Sequence, residues 1–370
     1  MLYLDNAATG GYKPASVLNA VNASLKQCAN PGRSGHRLSL ACAERVLACR
    51  MLLSELFGGY SYERVIFTRS CTEALNIALF GVLERGDHVV TTCLEHNSVL
   101  RPLEALKQNG IIDYDVAPLT DGKLTAQSVL SLVRKNTRLV AVTAASNVTG
   151  EAPDLAEIRR LLPPQVLFVV DGAQGGGHLH IHMQEMGIDA LALAGHKGLF
   201  AMQGAAALLL SERMTPRPLL HGGTGSESIS LNMPAFFPDR LEAGTLSYPA
   251  ICSLFEGALF VKTRRQEHYS KLIKLTSALS VALSTMKNYR VFSKPNGCGI
   301  LSFSHLELPS EEVAGLLSER FDIAVRGGLH CAPLVHQALG TSPDGLVRVS
   351  FSPEQSQRDV ESLLRALRRI

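Results

Sequence analysis

LALAGHKGLFAMQGAAALLL, Leu191 to Leu210, sets one lysine between two apolar runs. Lys197 is bracketed by Gly195, His196 and Gly198, and no other formal charge falls between Asp189 and Ser211. The runs Ile188 to Ala194 and Ala205 to Leu210 read as buried strands, because an apolar stretch too short for a helix suits a strand covered on both faces. An ammonium held beside such strands is costly. Desolvation disfavours its charged form, which brings within reach the neutral amine that forms a Schiff base with an aldehyde. A turn lysine standing alone is more often a solvated strand end, so the motifs around it decide.

The other strands supply them. Val65 to Thr68 runs into Arg69, Ser70, Cys71 and Thr72, with a helix from Glu73. A helix start beside hydroxyls suits an anion such as a phosphate, and equally a plain capped helix. After the strand His88 to Thr92, His96 falls in the loop beyond the carboxyl end, the edge where open α/β sheets bind ligands. An imidazole there can stack on an aromatic ring, carry protons, or simply be solvated. Asn147 follows the strand Arg138 to Thr143 at the equivalent edge, with an amide able to donate to a phenolate oxygen.

Asp171 closes the apolar run Val166 to Val170 and needs a cationic or hydrogen-bonding partner at the mouth of that strand. A pyridinium nitrogen is one. A carboxylate for a ring nitrogen and a lysine for an aldehyde together describe a site for pyridoxal 5'-phosphate (PLP), with Asp171 and Lys197 in those roles. Repeated strand and helix units with ligand-type residues at each strand's end predict an α/β fold, a mostly parallel central sheet covered by helices.

With 370 residues and 46% hydrophobic composition, the chain can build two cores. We expect a large domain at residues 14–250 and a smaller α/β one at 1–13 with 251–370. One long helix, Ile251 to about Met286, links them. A charged fraction of 19% and a net charge of +3 give no reason for a nucleic-acid or membrane partner. No signal-peptide pattern and no long uncharged apolar run are found, so a cytoplasmic location is expected. Eight cysteines form no C-x-x-C pair or His cluster, which argues against both a metal site and a disulfide framework.

In the second part, AVRGGLHCAPLVHQALG places Cys331 after a Gly-Gly loop, with His330 before it and Arg326 nearby. This setting favours a thiolate nucleophile, though a bystander loop cysteine fits the same features. Arg348, in LVRVSFS, is a rim cation or a bidentate clamp for a carboxylate.

Together these residues resemble the fold-type I PLP enzymes of the class V aminotransferase family, and most of all the cysteine desulfurases and selenocysteine lyases. The resemblance runs nearly end to end through YLDNAAT (Tyr3 to Thr9), TRSCTEALN (Thr68 to Asn76), EHNS (Glu95 to Ser98), SNVTG (Ser146 to Gly150), VDGAQ (Val170 to Gln174), GHK (Gly195 to Lys197), EAGT (Glu242 to Thr245) and RGGLHCAP (Arg326 to Pro333). It implies Lys197 as the Schiff-base lysine, Asp171 at the pyridine nitrogen, His96 stacked on the ring, and Asn147 and Gln174 near the phenolate oxygen. It further implies Cys71, Thr72 and His196 at the phosphate, Thr245 reaching it from the other subunit of a homodimer, and Asn147 with Arg348 at the substrate. Cys331 would form the persulfide, on a short loop like that of the second desulfurase group, which often needs a sulfur-acceptor protein. Ala194 stands where the family often has Ser, and Phe200 to Gln203 replaces its usual Gly-Pro stretch. The activity implied is removal of sulfur from L-cysteine, or selenium from L-selenocysteine, to give L-alanine. The alternative keeps PLP without sulfur chemistry: an aminotransferase, epimerase or kynureninase-like lyase.

Overall fold

Each apolar run named above becomes a strand in the computed structural model, which describes residues 1–370. In chain order the strands are β1 (Leu2–Tyr3), β2 (Val65–Thr68), β3 (Asp87–Thr92), β4 (Ile112–Ala117), β5 (Thr137–Thr143), β6 (Leu167–Asp171), β7 (Ala190–Ala194), β8 (Ala206–Leu210), β9 (Tyr289–Val291), β10 (Ile300–His305), β11 (Ile323–Ala324) and β12 (Val347–Ser350). β4 lies at the rim of the main sheet, where Asp113 and Asp115 meet solvent, which is why it shows no apolar run.

The main sheet has seven strands in the order β2-β8-β7-β6-β5-β3-β4. All neighbours are parallel except at β8, which runs against both β2 and β7. The segment Gly195 to Ala205 is too short for a helical crossover, so the chain must return antiparallel after β7. Lys197 sits in that return. Because β2, β3, β5, β6 and β7 share one direction, the residues that follow them (Cys71, His96, Asn147, Asp171 and Lys197) gather at one edge. The sheet is covered on both faces. One core packs Val140, Phe168, Leu191 and Leu209 beneath the helices Arg37–Leu56 and Tyr248–Lys262, and the other packs Ile66, Val89, Val169 and Leu208 beneath Cys71–Phe80 and Asn97–Gln108.

A smaller antiparallel sheet, β12-β10-β9, carries its own core of Leu272, Leu279, Phe303, Val349 and Leu363. The start of the chain joins this body: Leu4 is part of that core, and β1 pairs with β11 through Leu2↔Ile323 and Tyr3↔Ala324. The expected single linking helix is two, Tyr248–Lys262 and Arg265–Ser284. Ile251, Leu254 and Ala258 on the first bury in the main core, and Leu272, Leu275 and Leu279 on the second bury in the smaller one. The chain turns at Thr263 and Arg264, where its apolar face changes partner. No helix is long and apolar enough to cross a membrane.

Candidate active site

At the shared strand edge lies a cleft of about 680 Å³, its open mouth included, lined by Cys71, Thr72, His96, Asn147, Asp171, Gln174, His196 and Lys197 among others. Eight side chains singled out from the sequence thus meet in one place.

Asp171, at the end of β6, is 3% exposed. Its Oδ1 accepts the Ala173 N–H at 2.9 Å and the Cys71 thiol at 3.4 Å, and its Oδ2 accepts nothing from the protein. Burial and the neighbouring Asp171 charge push the Cys71 thiol well up, so it stays a neutral donor. The Lys197 ammonium makes no hydrogen bond or ion pair with the protein. Burial lowers its pKa, with Asp171 opposing and Arg348 and Arg326 reinforcing the shift.

The His96 ring accepts the Ser98 N–H at 3.0 Å through Nδ1 and so caps the helix that begins at Asn97. The proton of the neutral ring therefore sits on Nε2, and burial lowers the pKa. Ser70 caps the helix Cys71–Phe80 through the Glu73 N–H at 3.1 Å, and the Thr72 and Ser98 hydroxyls meet at 2.8 Å. His196 Nδ1 lies 3.0 Å from the Thr9 hydroxyl, and burial brings its pKa down to about 4, so the ring is neutral. Two amides are engaged with the backbone: Asn147 Nδ2 donates to the His330 carbonyl at 2.7 Å, and Gln174 Nε2 to the Ala7 carbonyl at 3.0 Å.

Three predicted residues lie outside the cleft. Arg348 is 1% exposed and pairs through its guanidinium with Asp5 at 2.7 Å and with the Asn147 carbonyl at 3.0 Å, leaving Nε without a partner. Thr245 is exposed and lines a different hollow with Phe67, Arg69 and Glu73. That loop is anchored by Glu242, which holds Arg50 in a buried two-pronged pair at 2.8 and 2.6 Å and accepts the Phe67 N–H at 2.6 Å. Cys331 is exposed, in the left-handed region at φ 58°, and its carbonyl accepts the Asn97 N–H at 2.8 Å. This bond brings the cysteine loop onto the start of the helix that His96 caps.

Glu95 carries no role in the sequence reading, although EHNS displays it. It is fully buried; Oε1 accepts the Thr92 hydroxyl at 2.5 Å and the Thr143 N–H at 2.9 Å, and Oε2 has no partner. It ties the end of β3 to the end of β5 beside the cleft. Only burial reveals it, since an acid in a loop reads as solvated. Burial raises its pKa from 4.5 to about 8. The folded state then holds a proton that the unfolded chain releases above pH 4.5, so this group's contribution to stability is lost as pH rises towards 8. Glu95→Gln should remove that loss: relative to wild type the variant gains stability between pH 5 and 8, by as much as about 4 kcal/mol. Denaturant unfolding at the two pH values checks it; a gap that does not change with pH contradicts a protonated Glu95.

Lys13 also escapes a local reading. Its ammonium donates to the Gly10 carbonyl at 2.8 Å and lies 3.4 Å from the His196 carbonyl, and burial lowers its pKa to about 8.

The model of the aminotransferase class-V family matches residues 2–363. A probable cysteine desulfurase of Aeropyrum pernix is 33% identical over 397 residues, covering 100% of this chain and 94% of its own. One from Methanothermobacter thermautotrophicus is 30% identical over 383 residues with the same coverage, 100% and 94%. Among solved structures, the apo cysteine desulfurase of Thermococcus onnurineus superposes with a TM-score of 0.92 at 30% identity, covering 100% of this chain and 94% of that one. A cysteine desulfurase of Escherichia coli follows with a TM-score of 0.89 at 27% identity, covering 99% and 94%.

Proposed function

The chain belongs to the class V aminotransferase family, and from that membership we propose that it is a PLP-dependent cysteine desulfurase. The observation that carries the reading is the docking of the exposed Cys331 onto the His96 helix, at the cleft that Lys197 and Asp171 share. The cleft fits PLP. Asp171 Oδ2 has no protein partner and suits a ring N–H, the partnerless Lys197 amine suits an aldehyde, and the first N–H groups of the helix Cys71–Phe80, with Thr72 and His196, suit a phosphate. His96 would lie on the ring. Bound PLP supplies an electron sink for the substrate's α-amino carbon framework.

The protein's own groups do the rest. Burial keeps Lys197 ready to lose and regain a proton, and the neutral His96 ring, with Nδ1 held by the Ser98 N–H, has a proton on Nε2 to donate. For Arg348, beside Asn147, to clamp the substrate carboxylate, that carboxylate has to take the place Asp5 holds on the guanidinium. The Cys331 thiolate attacks the substrate sulfur: an S–S bond forms, the C–S bond breaks, and the electron pair left on carbon takes a proton to complete the methyl group of L-alanine. The sulfur remains on Cys331 as a persulfide, exposed to an acceptor protein or reductant. L-Selenocysteine fits the same scheme. We also infer a homodimer, because the exposed Thr245 is absent from its own chain's cleft and is free to reach a second copy's. Eight unpaired cysteines suit a reducing, cytoplasmic compartment.

The test is release of alanine from L-cysteine by the PLP-loaded protein with a reductant present. Alanine formed together with sulfide supports the reading, and no alanine from either L-cysteine or L-selenocysteine rejects it. Asp171→Asn should keep PLP bound yet slow alanine release by on the order of 100-fold, because an amide cannot stabilise a protonated ring nitrogen. Turnover near wild type would remove Asp171 from this role.

A further inference from the structure

His330 and Cys331 are consecutive residues in the left-handed region, at φ 52° and 58°. That backbone is unfavourable for side chains bearing a Cβ, so it needs support from outside the loop. On its own side the loop is held by Gly328 N–H to Ser310 Oγ at 3.0 Å, Leu346 N–H to the Gly328 carbonyl at 3.1 Å, Ala332 N–H to the Leu329 carbonyl at 3.0 Å, and the His330 ring, whose Nε2 lies 3.0 Å from the Leu346 carbonyl, but none of these reaches the His330 or Cys331 carbonyl. From the cleft side come two donors. Asn147 Nδ2 reaches the His330 carbonyl at 2.7 Å, and the Asn97 N–H reaches the Cys331 carbonyl at 2.8 Å.

Chemistry fixes the first contact. A carbonyl only accepts, so the amide nitrogen must face the loop, which leaves Asn147 Oδ1 buried and without a partner. The second donor is equally specific: Asn97 is the first residue of its helix, and its N–H has no acceptor within that helix. Asn147 also stands 6% exposed in the wall of the cleft, with its own carbonyl held by Arg348. One residue therefore joins the cleft, the buried arginine and the cysteine loop.

We propose that Asn147 is a positioning residue for Cys331: with the Asn97 N–H it forms a two-point dock that sets where the cysteine loop, and with it the thiol, stands relative to the cleft. This rests on the desulfurase reading for its purpose, and its test needs no turnover. Cys331 is exposed, and Cys28 is the one other exposed cysteine. In a Cys28→Ser background a trifluoroacetone group is attached to Cys331 and read by fluorine NMR in the apo protein.

Asn147→Asp is nearly the same shape but presents no donor to the His330 carbonyl. Asn97→Pro removes one N–H at the helix position where proline is tolerated. Each change should lower the ratio of docked to mobile label by about threefold to tenfold, as loss of one hydrogen bond allows, and the double variant should lower it further. Asn97→Pro, whose changed atom is backbone outside the cofactor cradle, should also reduce alanine release at saturating L-cysteine while PLP affinity holds. Identical fluorine spectra for wild type and both single variants, with unchanged melting curves, would overturn the dock. A protein that made no alanine would sink the desulfurase reading alone, because the label reports the loop without substrate.

Discussion

Lys197→Ala is expected to abolish the borohydride-fixable attachment of PLP and to take alanine release down to background. The lysine stands in the return between β7 and β8, with no protein partner for its ammonium, while the strands on either side are fully packed without it. Its removal therefore costs the fold little. Since burial lowers its pKa, the folded protein binds fewer protons here than the unfolded chain does at pH values between the lowered pKa and 10.5. Wild-type apoprotein should accordingly gain stability relative to Lys197→Ala as pH rises through that window. Near neutral pH the variant should melt at or slightly above the wild-type temperature, as it no longer holds an amine whose charged form is disfavoured. The stabilisation that PLP gives wild type should shrink to what its phosphate and ring contacts provide. Melting curves with and without PLP, run beside mass spectrometry of borohydride-treated protein, decide the matter. A fixed PLP adduct with full turnover in the variant would place the reactive amine elsewhere, and Lys13, with its pKa brought down to about 8, would be the next amine to examine.

Cys331→Ser is expected to bind PLP and L-cysteine as wild type does, to release essentially no alanine in the presence of reductant, and to carry no persulfide. The thiol lies outside the cleft, on a loop held by its backbone carbonyls, so nothing that binds the cofactor passes through its side chain. A hydroxyl keeps the loop and removes the nucleophile, because at neutral pH it gives no appreciable alkoxide and oxygen attacks a sulfide sulfur poorly. Binding and chemistry should separate cleanly. With L-selenocysteine the loss should be smaller, as selenium leaves carbon more readily. The two enzyme classes part here: in an aminotransferase or epimerase the thiol is a bystander and the substitution changes little. Equal alanine release from both proteins would therefore move the function to that second class.

Much of this site was legible because each functional residue follows a strand whose apolar run marks it locally. Asp171 closes VLFVV, Lys197 follows LALA, and His96 and Asn147 come shortly after their strands. In a parallel sheet those ends share an edge, so the order of runs along the chain already implied a common cleft. What pattern could not show depends on contacts between distant parts of the chain. Glu95 reads as a loop acid, and only the packing of β3 beside β5 buries it and raises its pKa. Glu242 appears beside Thr245 in EAGT, yet its partner, Arg50, lies nearly two hundred residues earlier and is chosen by the fold. Arg348 shows the limit most clearly: its strand was foreseen, but the return of the N-terminal segment against β12 decides that Asp5 and the Asn147 carbonyl occupy its guanidinium. The position of Cys331 is of the same kind. Its residue type and glycine loop are local properties, whereas its place against the start of the His96 helix comes from two donors, Asn97 and Asn147, on separate strand ends of the other body. Such pairings are set by where the strands stop in space, and no periodicity in the sequence encodes that.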